Sequence, residues 1–294
     1  MLQSLLNQTI IRMIKCFFVS DLHGKTDRYL KLFNLIKTEK PDMVFFGGDL
    51  LPHGFKKVDN FDDFAIDFIF SQFRQLKKTL QNQYPDIFII LGNDDARCEE
   101  EKFITESDKG LFHYINQKKI IFKEYKIFGY SFVPPTPFQN KDWEKYDVSR
   151  YVDPGCVHPT EGFRTIKIKE DIEYATIKKD LDVLTKDEDV SNAIFLFHSP
   201  PYKTNLDRAA LDGAMIDYVP LDVHVGSIAI QRFIEEKQPL VTLHGHIHES
   251  TRLTGSWKQQ FNRTISFNAA HDGNELSVIK FNLENINKAQ RILI

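Results

Sequence analysis

Cysteine is scarce in this sequence, a basic excess is missing, and no apolar run is long enough to cross a membrane. The three cysteines among 294 residues, Cys16, Cys98 and Cys156, are odd in number, far apart and outside any paired motif. That argues against a disulfide framework and points to reduced thiols in a cytoplasmic protein. Lys and Arg total 38 against 41 Asp and Glu, a formal net charge of -3. Such a balance supplies no positive field for a long nucleic acid, and no local basic track replaces it. No stretch approaches the ~20 apolar residues of a bilayer-spanning helix, so no membrane partner is expected. Residues 1–12 read as an exposed leader and not a secretion signal. Gln, Asn and Arg break up the opening segment, and no small-residue cleavage site precedes Asp21.

What is present is an ordinary globular composition, 42% hydrophobic and 27% charged, which excludes a disordered chain. Short apolar runs recur at Ile14–Ser20, Met43–Phe46, Ile87–Leu91, Ala193–Phe197 and Leu240–Leu243, each ending in polar residues, which predicts buried strands. Helical spacing marks Tyr29–Thr38, Phe61–Leu80 and Ile228–Glu236, the last with Ser227 as its N-cap. Alternation of strand and helix means an α/β fold. Two later stretches depart from it. Lys118–Val133 reads as a hairpin turning near Lys123–Tyr125, and Thr264–Asn268 with Leu276–Phe281 reads as a second one around Asp272 and Gly273. Two sheets packed face to face with helices outside are therefore expected. Pro134–Phe163, with five of the twelve prolines, reads as a long excursion serving as a lid over a site or as a surface or subunit contact, which leaves a homo-oligomer open. No repeat, linker or boundary interrupts the chain, so one domain over residues 1–294 is expected.

Metal-capable residues fall where those strands end. Asp21 and His23 follow the first, Asp49 the second, Asn93 the third, His198 the fourth, and His246 and His248 the fifth. Ligands in open α/β sheets gather at the carboxyl ends of strands. Gly47 and Gly48, Gly92 and Gly245 stand just before these residues and let the chain turn where a side chain would crowd an ion. The alternation of His246 and His248 about Ile247 places both imidazoles on one face of an extended segment.

The segments Asp21-Leu22-His23, Gly47-Gly48-Asp49, Gly92-Asn93-Asp94-Asp95, His198 and Gly245-His246-Ile247-His248 resemble the five ordered motifs of the calcineurin-like metallophosphoesterases. Within that superfamily, His198-Ser199-Pro200-Pro201 and the segment from His244 to Ser250 are most similar to the phosphoesterases related to Icc-type cyclic-nucleotide phosphodiesterases. The resemblance implies a four-layer α-β-β-α sandwich of two mixed sheets. It also implies two divalent ions, one held by Asp21, His23 and His248, the other by Asn93, His198 and His246, with Asp49 bridging them. Mixed imidazole and oxygen donors suit Mn²⁺, Fe or Zn²⁺ better than Ca²⁺. Two such ions clamp the attacking and leaving oxygens of a phosphate ester and lower the pKa of a bound water, so the nucleophile is expected to be a metal-bound hydroxide. Two divalent ions less Asp21, Asp49 and a hydroxide leave a site of about +1, which draws phosphate anions. The expected partner is a small phosphoester, a phosphodiester before a monoester.

The sequence departs from the family at Asp94, where many members carry a histidine that protonates the leaving oxygen. An Asp carboxylate beside two cations stays ionised and is a poor acid, and its alternative role is to orient a water or another histidine. Esters with acidic or strained leaving groups are therefore expected as substrates. His53 and His244 are the candidate replacement donors, each with a supporting role as the alternative; Asp49, Asn93, Asp94 and His198 are the expected catalytic residues, and Asn93, His53, Arg208 and His224 are candidate substrate contacts. For Arg208 the competing reading is a salt link to Asp207 or Asp212. Two other functions stay open at this level: a nuclease acting on short nucleic acid, which would show a basic track or stacking aromatics, and an inactive metal-binding scaffold, which only Asp94 favours.

Overall fold

The computed structural model describes residues 13–53, 61–168 and 171–294, so the expected leader at 1–12 lies outside the described residues. The strands in chain order are β1 (Lys15–Val19), β2 (Met43–Gly47), β3 (Asp86–Ile90), β4 (His113–Tyr114), β5 (Lys118–Phe122), β6 (Tyr125–Tyr130) and β7 (Ala193–Phe197). There follow β8 (Met215–Ile216), β9 (Val219–Pro220), β10 (Val241–His244), β11 (Lys258–Phe261), β12 (Thr264–Asn268), β13 (Ser277–Asn282) and β14 (Gln290–Leu293). They form two six-stranded mixed sheets, ordered β14-β13-β1-β2-β3-β4 and β11-β12-β10-β7-β6-β5, and the small hairpin β8-β9. Within the first sheet β1, β2 and β3 run parallel, and within the second β6, β7, β10 and β12 do.

The layering follows from the two-residue period of a strand. In β1, β2 and β3, one set of alternate residues (Phe18, Phe45, Phe88) packs in a cluster with Ile194, Leu196 and Leu243 of the other sheet. The opposite set (Phe17, Val44, Ile87) packs with residues of the helices α1 (Thr26–Glu39) and α2 (Ser71–Leu80). Phe128 and Phe195 of the second sheet likewise pack with Ile177 and Leu181 of α4 (Ile177–Leu184) and Phe233 of α5 (Ile228–Lys237), while α3 (Glu100–Asp108) packs beside β4 through Phe103. Strands buried on both faces read as continuous apolar runs, which is why they were legible in the sequence. The expected four-layer α-β-β-α sandwich is the observed one.

Two expectations are corrected. Thr264–Asn268 and the strand after it do not form a hairpin: β12 pairs with β10 and β11 in one sheet, and β13 pairs with β1 and β14 in the other. The turn between them carries the chain across the sandwich, and the true hairpin partner, Lys258–Phe261, is too polar at an edge to announce itself. The helical stretch from Phe61 is a π-helix, Phe64–Phe70, running into α2, with Phe64 and Phe68 facing the core. Ser227 caps α5 as expected, its Oγ accepting from Ile230 N at 3.1 Å.

The excursion at 134–163 is anchored through its middle, where residues 141–147 are all buried. Lys141 and Glu144 form a buried ion pair at 2.6 Å. Trp143 Nε1 donates to Asp95 O at 2.7 Å, and Asp147 accepts from Ser227 Oγ and the first N–H groups of α5. A carboxylate at a helix N-terminus satisfies donors that have no partner within the helix.

Candidate metal centre

Because β1, β2, β3, β7 and β10 all deliver their carboxyl ends to one edge of the sandwich, the seven expected ligands come from both sheets to a common place. Asp21, His23, Asp49 and His248 offer donor atoms within 4.8 Å of one another, and so do Asp49, His198 and His246. Asp49 is common to both groups. Asn93 Oδ1 joins the second, 3.0 Å from His198 Nε2, which is itself 3.3 Å from Asp49 Oδ1.

The backbone is bent hard to achieve this. Asp21, His23, Asp49 and His246 all adopt positive φ (58°, 46°, 53° and 73°), a region that costs a non-glycine residue about 1–3 kcal/mol. Pairing of the two ligand loops offsets that cost: Asp21 N–H donates to Gly48 O, His23 N–H to Asp49 O and Gly24 N–H to Leu50 O. Beyond β10 the chain does not stay extended. His246 is the centre of a γ-turn closed by Ile247 N–H to Gly245 O at 2.9 Å, so its ring and that of His248 enter different donor groups. This corrects the expectation of two imidazoles on one face of an extended segment. Neither Gly92 nor Gly245 has positive φ, and what each leaves room for is a carboxylate: a Cβ at Gly92 would stand 2.3 Å from Asp49 Oδ1, and one at Gly245 would stand 2.5 Å from Asp21 Oδ2.

Hydrogen bonds fix which nitrogen faces inward. His198 Nδ1 donates to Gly47 O at 2.7 Å, and His23 Nδ1 to Asp94 Oδ2 at 3.1 Å, leaving each Nε2 for the cluster. His23 Nε2 and His248 Nε2 then face each other at 3.1 Å, and His248 Nε2 lies 3.1 Å from Asp21 Oδ1. Two imidazole nitrogens at that distance need a proton or a cation between them. Asp21 and Asp49 are buried carboxylates. Burial would raise their pKa values, but the neighbouring histidines, His248 for Asp21 and His198 for Asp49, hold both below the usual range. In turn, against the downward pull of burial, Asp94, Asp49 and Asp21 raise His23 to about 9, Asp49 and Asp21 raise His198 to about 9, and Asp21 raises His248. Burial and the charge of His198 lower His246 to about 3. Without ions the site therefore balances its carboxylates with protons. Those protons sit on nitrogens that divalent cations would take, so the donor set fits a metal pair.

The remaining candidates fall elsewhere. His53, exposed at the surface, donates Nδ1–H to the same Asp94 Oδ2 at 2.6 Å. His244 is fully buried, bonded to Ser199 O and Thr242 Oγ1 and stacked on Phe197, and burial lowers it to about 3. It is a packing group with no free nitrogen, so of the two donor candidates only His53 faces solvent. Arg208 turns to Asp212 and Ala209 O, and His224 donates to the buried Asp207. Asp95 escaped sequence reasoning as a role. It accepts from the N–H groups of Leu50, Leu51 and Gly92, locking the second and third ligand loops together, and burial with the charge of Asp49 raises it to about 7. Its only signal was a second Asp after Asn93. Arg28, buried and donating to Asp21 O at 2.8 Å, gave no signal, since it reads as a surface residue of α1.

The three cysteines are free, and among the described residues no helix is long and apolar enough to cross a membrane. No curated protein matches the chain. Solved structures do. The protein TT1561 of Thermus thermophilus is 14% identical, with 96% of this chain and 99% of that one covered at a TM-score of 0.54. A dimetal phosphatase from Danio rerio is 10% identical, with 91% of each chain covered at a TM-score of 0.50. At such identities the likeness is one of fold. The sequence pattern of the calcineurin-like phosphoesterases matches residues 14–250, which span every ligand described above, and the chain belongs to that family.

Proposed function

We propose that the chain hydrolyses small phosphodiesters with a pair of divalent ions, Mn²⁺, Fe or Zn²⁺, as cofactor. The sharing of Asp49 by two adjacent donor groups carries this reading, because one carboxylate between two sets of imidazole and oxygen donors is the arrangement that a metal pair uses. Asp21, His23 and His248 would hold one ion, and Asn93, His198 and His246 the other. When bound, the ions supply Lewis acidity toward phosphate oxygens and acidify a water for in-line attack. The chain's own groups do the rest. Gly47 O and Asp94 aim His198 and His23, and Asn93 stands beside His198 where it can also meet the ester. Asp94 does not act as the acid in this reading. It holds His53 by Nδ1–H, so that the ring, entering as imidazolium, would give its Nε2 proton to the leaving oxygen and remain as the neutral Nδ1–H tautomer.

Turnover of bis(4-nitrophenyl) phosphate after loading with Mn²⁺ tests the proposal. Wild type is expected to turn over, and Asp49→Asn to lose both metal and activity. Bound metal with no turnover of any ester would favour the inactive scaffold. A series of aryl diesters of graded leaving-group pKa tests the proton donor: His53→Gln should steepen the dependence, and an unchanged slope removes His53 from that role.

A further inference from the structure

A second concavity, of about 610 Å³, opens between the excursion at 134–163 and the segment from Tyr202 to Ile228. Its size is that of a small-molecule pocket. Both walls are set before any ligand arrives. The first is tied down by Asp147 on the N-terminus of α5. The second is gathered by Asp207, a fully buried carboxylate that accepts from Lys203 N, Thr204 N, Gly226 N and His224 Nδ1. The hairpin β8-β9 closes the rim, with Ile216 pressed so closely on Gly155 that a Cβ there would meet Ile216 Cδ1 at 2.2 Å. Tyr202 follows His198 by four residues, so this part of the wall lies no more than about 14 Å from a candidate metal ligand.

The lining has a definite chemistry. Pro134, Pro135, Tyr151, Tyr202 and Val219 supply apolar and aromatic surface, and among the described residues no Lys or Arg contributes to it. Asp153 and Asp222 stand at the wall instead. Partial desolvation and the charge of Asp222 hold the Asp153 carboxyl above the usual range, and Asp222 accepts from Tyr202 OH at 2.5 Å and His224 N at 2.9 Å. Lys203 Nζ lies over the Tyr202 ring at 5.3 Å and, against partial desolvation and after the Tyr202 hydrogen bond, His224 and Lys203 help hold Asp222 below its usual range, so Asp153 is the wall carboxylate that a second phosphate or a polyanion would meet. A cationic nitrogen would be attracted by Asp153 and by the face of Tyr151, which both line the cavity.

Resting on the phosphodiesterase reading above, we infer that this cavity receives the non-reacting end of the substrate, an apolar or aromatic group carrying a protonated amine. Three probes separate the factors: tryptamine, indole-3-propionate with a similar ring and the opposite charge, and inorganic pyrophosphate. Calorimetric titration of the full-length protein, with chelator present for the two indoles, should show tryptamine binding about tenfold or more tighter than indole-3-propionate. Leu211→Trp, which narrows the cavity, should weaken tryptamine binding, and Asp153→Lys, a change at the open rim, should reverse the order of the two indoles. With metal loaded, tryptamine should raise KM for bis(4-nitrophenyl) phosphate and leave kcat unaltered, and pyrophosphate binding should be insensitive to Asp153→Lys. Equal affinity for the two indoles, or tryptamine binding unaffected by both substitutions, overturns the inference. So does tryptamine binding that leaves KM unmoved. Diester turnover without tryptamine binding sinks this inference alone, whereas tryptamine binding without turnover sinks the hydrolytic reading and leaves an amine site.

Discussion

Loading the site with metal should release protons, and their number follows from the structure. In the metal-free protein His23 and His198 both titrate near 9, because the charges of Asp49, Asp21 and Asp94 outweigh the burial that would lower them. At pH 7 both rings are about 99% protonated, so filling the two donor groups should expel about two protons, with any further release coming from His248. At pH 9 the figure from this pair should drop to about one. Apparent affinity should therefore strengthen about tenfold per pH unit for each ion between pH 7 and 9, about 1.4 kcal/mol per unit, and flatten above. The same shifts fix the sign of the stability profile. A histidine whose folded pKa exceeds its unfolded value of about 6.5 stabilises the fold fully below 6.5, and that contribution is lost as pH rises through about 9. The chelated protein should accordingly lose Tm across this window, and the loaded protein should not. Calorimetry in buffers of differing ionisation enthalpy counts the protons directly. Release near zero at pH 7, with affinity flat from pH 7 to 9, would refute the view that imidazolium groups neutralise Asp21 and Asp49.

Three substitutions probe separate links. Asp94→Ala removes the group that orients His23, and should weaken the ion held with Asp21 and His248 about 10- to 100-fold in a competition titration against a chromophoric chelator, with the fold kept. Gly92→Ala forces a Cβ to within 2.3 Å of Asp49 Oδ1, and should cost about 1–3 kcal/mol in denaturant unfolding together with loss of metal content on gel filtration. Ser227→Ala removes the cap of α5 and a donor to Asp147, and should cost about 0.5–2 kcal/mol in the same unfolding assay with metal content unchanged.

The strands of the interior, and the residue types that stand at their ends, are written in the sequence. Both signals are local: a run buried on two faces is apolar throughout, and a ligand loop must begin where a strand stops. That was enough for the four-layer arrangement, for the seven residues that meet at the strand ends and for the cap at Ser227. It was not enough for the last strands, since Thr264–Asn268 and Leu276–Phe281 look alike along the chain and only sheet pairing assigns them to opposite layers. Nor could spacing reveal the γ-turn at His246, which sends two imidazoles separated by one residue into two donor groups. The roles of Asp95 and Arg28, and which histidines Asp94 orients, likewise exist only in three dimensions. Each residue acts through groups brought near by the side-by-side pairing of β1, β2 and β3 within one sheet: backbone N–H groups of another loop, a carbonyl across the turn, or two histidines from the first and second loops. Sequence pattern records what a residue must be to sit in a strand or at its end, while the partners that tune it are set by packing between segments far apart along the chain.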